Sequence, residues 1–406
     1  MRKILFLGSS FGIVPIIKRA KSEGYYVIVT DYLERERSKA KQLADEAWDI
    51  STAELDLIEK RCRENEVSAL LCGISEFNLD VLLELTERLH LACYCTKEHR
   101  EYSKNKRKFK EICKELGIAV PKDYKLNELD KESFASGLEL VVKPNDCAGS
   151  EGVSFCKNPG ELQNAIITAR EKSPSEEVIV ERRLKGKEFF AVYCFADGYS
   201  SLITLNEMHS QTGYPSKCYS LVTNCTGYIG KFCKEADPSI RKIFKHIGYR
   251  NGCAWVQVIL DEDGRFYLIE MGAEYRLPDM YPVCGFDYAK WQLRYALGKN
   301  NSIDSLPSLQ MHMSGRLACE YLFWTSVGDS IEEIVIDEKL EKSGITVEML
   351  FAEGDKVEAY RIIGHALYYP DNKMQLNEMT GMINALVRVY GKDGRDIIIH
   401  YTDEIV

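Results

Sequence analysis

At 406 residues, with 45% hydrophobic and 28% charged side chains, the chain has the make-up of a globular protein of two or three domains. Its longest apolar runs fall far short of the roughly 18 residues that a membrane-spanning helix needs. A formal net charge of −9 argues against a nucleic-acid binder, because affinity for a phosphate backbone comes from local positive charge. Fourteen cysteines without a CxxC pair are expected to be reduced core thiols of a cytoplasmic protein, with Cys93 and Cys95 alternating along a strand.

The N-terminal MRKILFLGSSFG reads as a first strand rather than an export signal. Residues 3–7 and 26–30 read as buried strands around a helix from Val14 to Ser22, and residues 69–72 as a further strand after a helix from Ala53 to Glu64. Strand and helix in alternation predict a doubly wound parallel sheet. The turn from Gly8 to Gly12, with Asp31 closing the second strand, leaves a nicotinamide-dependent (NAD) oxidoreductase as one reading. Against it, G-x-x-x-G lacks the three-glycine fingerprint, and a strand-to-helix turn needs glycine for steric reasons alone.

From Ser103 to Gly117 the residues Phe109, Ile112, Cys113 and Leu116 recur at helical spacing, which predicts one amphipathic helix stopped by Gly117 and Pro121. Lys104, Lys106, Arg107, Lys108 and Lys110 on it read as a solvated basic face. Next comes LVVKPNDCAGSEGV, Leu140 to Val153, in which a β-branched run delivers Lys143 into a loop carrying Gly149, Ser150 and Gly152. A strand fixes the ammonium, and glycines let backbone N–H groups approach anionic oxygens, so the segment suits a polyphosphate. A helix from Pro159 to Lys172 and a strand from Val178 complete a compact α/β block over residues 119–183.

Hairpins are predicted at Asp197-Gly198, between Phe189–Phe195 and Ser201–Leu205, and at Asp261 to Gly264, between Trp255–Leu260 and Phe266–Met271. In the last hundred residues, strands are expected at Gly315–Phe323, Val347–Phe351 and Arg388–Gly391, with a helix from Leu376 to Tyr390.

Four features in this order, Lys106 on a helix, Lys143 before a glycine loop, EVIVERRLKGKEF from Glu177 and WVQVILDEDGRFYLIEMG from Trp255, resemble the ATP-grasp superfamily. The likeness is to its carboxylate–amine ligase branch and to the branch of carbamoyl-phosphate-synthase-like and biotin-carboxylase-like members. It implies an α/β and α+β fold: a pre-ATP-grasp, Rossmann-like doubly wound domain over residues 1–102, a small lobe with its linking helix over 103–183, and a large lobe with a C-terminal sheet extension over 184–406. ATP would contact Lys106, Lys143, Gly149, Ser150, Gly152 and Val153 through its phosphates, Glu181 and Leu184 at the adenine edge, and Glu188 at the ribose.

Magnesium would lie on Gln257 and Glu270. Gln257 stands where many members carry Glu, and Gly272 where they carry Asn, so Glu274 or Asp279 is a possible helper. The family's arginine four residues past the metal acid is replaced by Glu274, which leaves Arg276, two residues later, for the acyl phosphate. With Lys143 and Arg276 as catalytic groups, the resemblance implies an ATP-dependent ligase joining a small-molecule carboxylate to an amine, with a homodimer, common among similar enzymes, as one assembly. The rival expectations are a bicarbonate-activating carboxylase, the NAD-dependent oxidoreductase above and a nucleotide-binding regulator without turnover.

Overall fold

The computed structural model describes residues 2–9, 12–129, 134, 136–147, 149, 151–214, 218–224, 227–274, 283, 285–308 and 317–403. Two compact units make up the chain, one of residues 1–203, 228–276 and 289–306, the other of 204–227, 277–288 and 307–406.

The first unit opens with the parallel sheet that the alternation predicts. Strands β1 (Lys3–Leu7), β2 (Tyr26–Thr30), β3 (Glu46–Trp48) and β4 (Val67–Cys72) lie in the order β3-β2-β1-β4. All their pairings are parallel. Ile4 to Leu7 and Val27 to Val29 have no exposed surface, the mark of strands buried on both faces. Between the strands run α1 (Ile13–Ser22), α2 (Lys39–Leu43) and α3 (Leu55–Glu64), and α4 (Glu76–Leu89) follows β4. Gly8 adopts φ +82°, and a Cβ there would overlap the Asn78 side chain, so this glycine answers a steric need. Asp31 is 7% exposed and its Oδ1 accepts from Leu33 N at 2.8 Å, turned back onto its own loop. Cys93 and Cys95 sit in the irregular segment after α4 rather than on a strand, and the described cysteines are free thiols.

The single helix expected over residues 103–117 is two, α5 (Lys97–Lys104) and α6 (Lys106–Glu115). Asn105 separates them in an extended conformation, and its Oδ1 accepts from Lys108 N at 3.0 Å as the N-cap of α6. Strands β5 (Leu140–Pro144), β6 (Ser154–Cys156) and β7 (Val178–Arg182) form an antiparallel sheet in the order β6-β5-β7. Helix α7 (Pro159–Lys172) packs Leu162, Ala165 and Ala169 on Leu140, Val142 and Val180 of that sheet. Strands β8 (Gly186–Ala196), β9 (Tyr199–Ser210), β10 (Tyr219–Asn224), β11 (Gly252–Asp261) and β12 (Phe266–Gly272) follow, and β11 pairs antiparallel with both β8 and β12.

In the second unit β10 pairs with β13 (Cys319–Thr325), and β13 with the strand Ile362–Tyr368, whose other neighbour is Thr346–Met349. Tyr321, Phe323, Ile363, Tyr368 and Ile383 fill its core. The expected helix to Tyr390 stops at Leu386, because Val387–Tyr390 alternates as a strand and pairs with Glu333–Ile336. Among the described residues no helix is long and apolar enough to cross a membrane.

His365, 4% exposed, lies between two acids of this unit, with Nδ1 2.8 Å from Glu320 Oε1 and Nε2 3.9 Å from Glu348 Oε2. Burial opposes the charged ring, but the two carboxylates prevail and hold its pKa up to about 9. Since the folded value exceeds the unfolded one, the stabilisation is full below about pH 6.5 and lost as pH rises through about 9. Urea unfolding of wild type and His365→Gln from pH 6 to 10 is expected to show a wild-type advantage of up to about 3 kcal/mol that vanishes across that window. A difference independent of pH would refute the ion pair.

Candidate active site

Lys106 is the first residue of α6, and the backbone explains how it is held. Lys106 N donates to Asn145 O at 3.1 Å, and Arg107 N to Asn145 Oδ1 at 2.9 Å. Asn145, fully buried just past β5, in turn donates from N to Glu177 O at 3.0 Å and from Nδ2 to Glu177 Oε2 at 2.9 Å. One amide side chain thus ties the start of the Lys106 helix to the end of the Lys143 strand. Sequence reasoning missed Asn145; the polar residue straight after the buried Lys143-Pro144 was the available signal. Lys106 Nζ then reaches the glycine loop, donating to Cys147 O at 2.7 Å, and stands 3.3 Å from Glu270 Oε2.

Lys143 is 4% exposed, and its ammonium lies 2.6 Å from Glu181 Oε1. The β5–β7 register sets Glu181 opposite Val141, so the two charged residues are diagonal neighbours on one face. Glu181 Oε2 takes a second ammonium, that of Lys110 at 2.8 Å, and Lys110 also bonds Asp123. Lys110 is therefore not part of a solvated face: it is 2% exposed and neutralised by two acids. Beside it opens a cavity of about 120 Å³ lined by residues that include Arg107, Lys110, Lys114, Asp123 and Tyr124 but neither Lys106 nor Lys143.

The backbone leaves the β5–β7 ladder after Arg182. Arg183 N donates to Glu139 O at 2.9 Å and Lys185 N to Asp261 Oδ1 at 2.7 Å, with Leu184 between them. In the loop, Gly149 and Gly152 adopt φ +64° and +71°, and a Cβ on Gly152 would stand 2.8 Å from Pro144 Cγ. Val153 leads from Gly152 into β6. Ser150 and Arg276 lie outside the described residues, as does Asp279.

Alternation along paired strands sets Glu188 and Phe190 of β8, Gln257 and Trp255 of β11, and Glu270 and Gly272 of β12 on one face. Gln257 Nε2 donates to Glu188 Oε1. Burial and the charge of Glu270 raise the Glu188 pKa to about 7, against the opposing pull of the Gln257 hydrogen bond and the Lys143 ammonium. Gln257 thus bonds one carboxylate and faces the other across the ladder, with the Lys106 ammonium at Glu270 and the Lys143 charge felt at Glu188. Glu274 is no helper in this set: it is 1% exposed, and its Oε1 accepts from Trp255 Nε1 at 3.0 Å.

The donors on this face fit a hard divalent cation. Gln257 and Glu270 are directly cross-strand, and the Lys106 ammonium already stands at Glu270 as a positive partner. Among the described residues no three His, Cys, Asp or Glu side chains gather as a metal cluster. Two protein donors are what a magnesium site needs when phosphate and water complete its shell.

Residues 105–303 match the family model described as the carbamoyl-phosphate synthase L chain, ATP binding domain. The chain is 23% identical over 329 residues to the N-terminal section of the carbamoyl phosphate synthase large chain of Aquifex aeolicus (strain VF5), covering 73% of this chain and 58% of that protein. It therefore spans under two thirds of that relative's length. Among solved structures, an L-amino acid ligase from Bacillus licheniformis superposes with a TM-score of 0.75 at 16% identity, over 97% of this chain and 99% of that one. The biotin carboxylase domain dimer of Hydrogenobacter thermophilus 2-oxoglutarate carboxylase, solved with MgADP, ADP and bicarbonate, gives 0.74 at 18% identity, over 96% and 91%. Residues 105–303 are therefore an ATP-binding domain of that family, and the chain as a whole shares the fold of these solved structures, as the ATP-grasp resemblance implies.

Proposed function

We propose that the protein is an ATP-dependent ligase that joins a small-molecule carboxylate to an amine through an acyl phosphate and releases ADP and phosphate. What carries this reading is one face of the first unit on which Glu188, Gln257 and Glu270 stand together, with the Lys106 ammonium at Glu270 and the charge of Lys143 acting on Glu188. ATP would lie with its phosphates toward Lys106, Lys143 and the amides of Gly149, Ser150, Gly152 and Val153, its adenine edge toward Glu181 and Leu184, and its ribose on Glu188. Mg2+, on Gln257 and Glu270, supplies charge neutralisation at the phosphates when bound. The division into residues 1–102, 103–183 and 184–406 is part of the same proposal.

In the first step a carboxylate oxygen of the substrate attacks the γ-phosphorus, the bond from phosphorus to the β–γ bridging oxygen breaks, and ADP leaves. Lys106 and Lys143 hold the three phosphates in line and spread the transferring charge. An amine then attacks the acyl carbon, inorganic phosphate departs with the electrons of the C–O bond, and the amine loses a proton. Arg276 is assigned to the oxyanion formed in that attack. No protein nucleophile takes part. Closure of residues 119–183 would exclude water, which would otherwise hydrolyse the acyl phosphate.

The Lys143→Ala variant is expected to lose the thermal shift that Mg-ATP gives the wild type, a stabilisation of about 2.7 kcal/mol at a hundredfold excess over the dissociation constant. An unchanged shift counts against the site. A screen of amino acids and small acids for ADP release, with and without bicarbonate, tests the reaction itself. Release that requires bicarbonate in place of an organic carboxylate replaces the ligase with a carboxylase.

A further inference from the structure

One position on the site face is closed by the protein itself. Gly272, two residues past Glu270 on β12, pairs across the ladder with Trp255 of β11, as Glu270 pairs with Gln257. A side chain at position 272 would therefore stand next to Glu270, where an oxygen donor could extend the cation site. Here it cannot exist, because a Cβ on Gly272 would fall among the indole atoms Cε2, Cζ2 and Nε1 of Trp255.

The indole is fixed in that place. Trp255 is 2% exposed, its Nε1 donates to Glu274 Oε1 at 3.0 Å, and the Phe190 ring meets it edge-on with centroids 5.0 Å apart. Glu274 is itself anchored through its neighbour, since Ala273 O accepts from Tyr94 Oη at 2.9 Å. Displacing the indole would break the Glu274 hydrogen bond and open a hole beside Phe190, so the closure is built into the core rather than left to a mobile side chain.

We infer that Trp255 limits this site to a single divalent cation per chain, held by Gln257 and Glu270 together with the nucleotide phosphates. A second cation would have Glu270 as its one shared protein ligand and an apolar ring where another donor would stand, and hard cations shun such a shell. The Gly272 departure is thus one half of a pair with Trp255, and reversing it takes both residues. This inference rests on the nucleotide site proposed above.

The test counts Mn2+ bound by the full chain in the presence of AMP-PNP, by electron paramagnetic resonance of the free ion, alongside the spectrum of the bound ion. The wild type is expected to bind one Mn2+ per nucleotide and to show no exchange coupling of the kind given by two ions roughly 3.5–4 Å apart. Trp255→Val with Gly272→Asn removes the ring and adds the donor, and is expected to bind a second Mn2+ with a coupled spectrum. Two Mn2+ per nucleotide in the wild type overturn the inference whether or not the double variant folds, and a folded double variant that still binds one overturns the role of Trp255. Failure of the wild type to bind Mn2+ and AMP-PNP at all removes the nucleotide site and this inference with it, an outcome distinct from nucleotide bound with two ions.

Discussion

Glu181→Ala is expected to lower the free energy of unfolding by about 3 to 5 kcal/mol, the cost of breaking a buried ion pair from one side. Its carboxylate is 3% exposed and lies between the ammonium groups of Lys143 at 2.6 Å and Lys110 at 2.8 Å, themselves 4% and 2% exposed. Alanine leaves Lys110 with Asp123 but takes from Lys143 the acid that compensates it. The attraction within such a pair is largely offset by the desolvation of its members, so the loss comes mainly from the charge left behind. Removing that charge as well should therefore recover stability: Glu181→Gln with Lys143→Met is expected to unfold at higher urea than Glu181→Ala. Urea titrations of the three chains at one salt concentration decide the matter. A cost under about 1 kcal/mol for Glu181→Ala would mean that water screens the pair as at a surface.

Much of this arrangement was legible locally. Hydrophobic runs punctuated by glycine placed the parallel strands and the β5–loop–β6 unit that carries Lys143, and the Asp197-Gly198 turn does join two strands, with φ +50° and +84°. These features depend on residues close in sequence. What the sequence hid depends on partners far along the chain. Lys110 borders the apolar stripe of α6, and Asp123 and Glu181, 13 and 71 residues later, make its burial tolerable. Asn145 bonds back to Arg107 across 38 residues. The break at Asn105 was obscured because basic residues on both sides kept up a helical pattern that a capping asparagine interrupts.

At the other end of the chain, Val387–Tyr390 is equally apolar as the end of a helix or as a strand. Its pairing with Glu333–Ile336, more than fifty residues earlier, decides the outcome. Gly272 and Trp255 show the same limit at the site. As letters they are a missing ligand and an aromatic residue of open role, whereas the cross-strand register makes them one packed feature.

Replacement of Glu270 by Gln is expected to reduce ADP release by about 10²- to 10³-fold, the size of effect seen when one preorganised electrostatic contact to a transferring charge is removed. Glu270 touches both parts of the proposed machinery. It faces Gln257 across the β11–β12 ladder, where the cation would be held, and it stands 3.3 Å from the Lys106 ammonium that would otherwise serve the phosphates. The amide keeps the shape and loses the charge, so the defect should lie in kcat and in Mn2+ affinity together. Lys106→Met separates the two roles. It removes the phosphate contact and the hydrogen bond to Cys147 O of the glycine loop, and should lower kcat while Mn2+ binding to Gln257 and Glu270 persists or strengthens, because a competing cation has gone. Steady-state ADP release and Mn2+ titration of both variants read these effects separately. A Glu270→Gln enzyme turning over within about threefold of wild type, a difference worth under about 1 kcal/mol of barrier, would place the chemistry elsewhere.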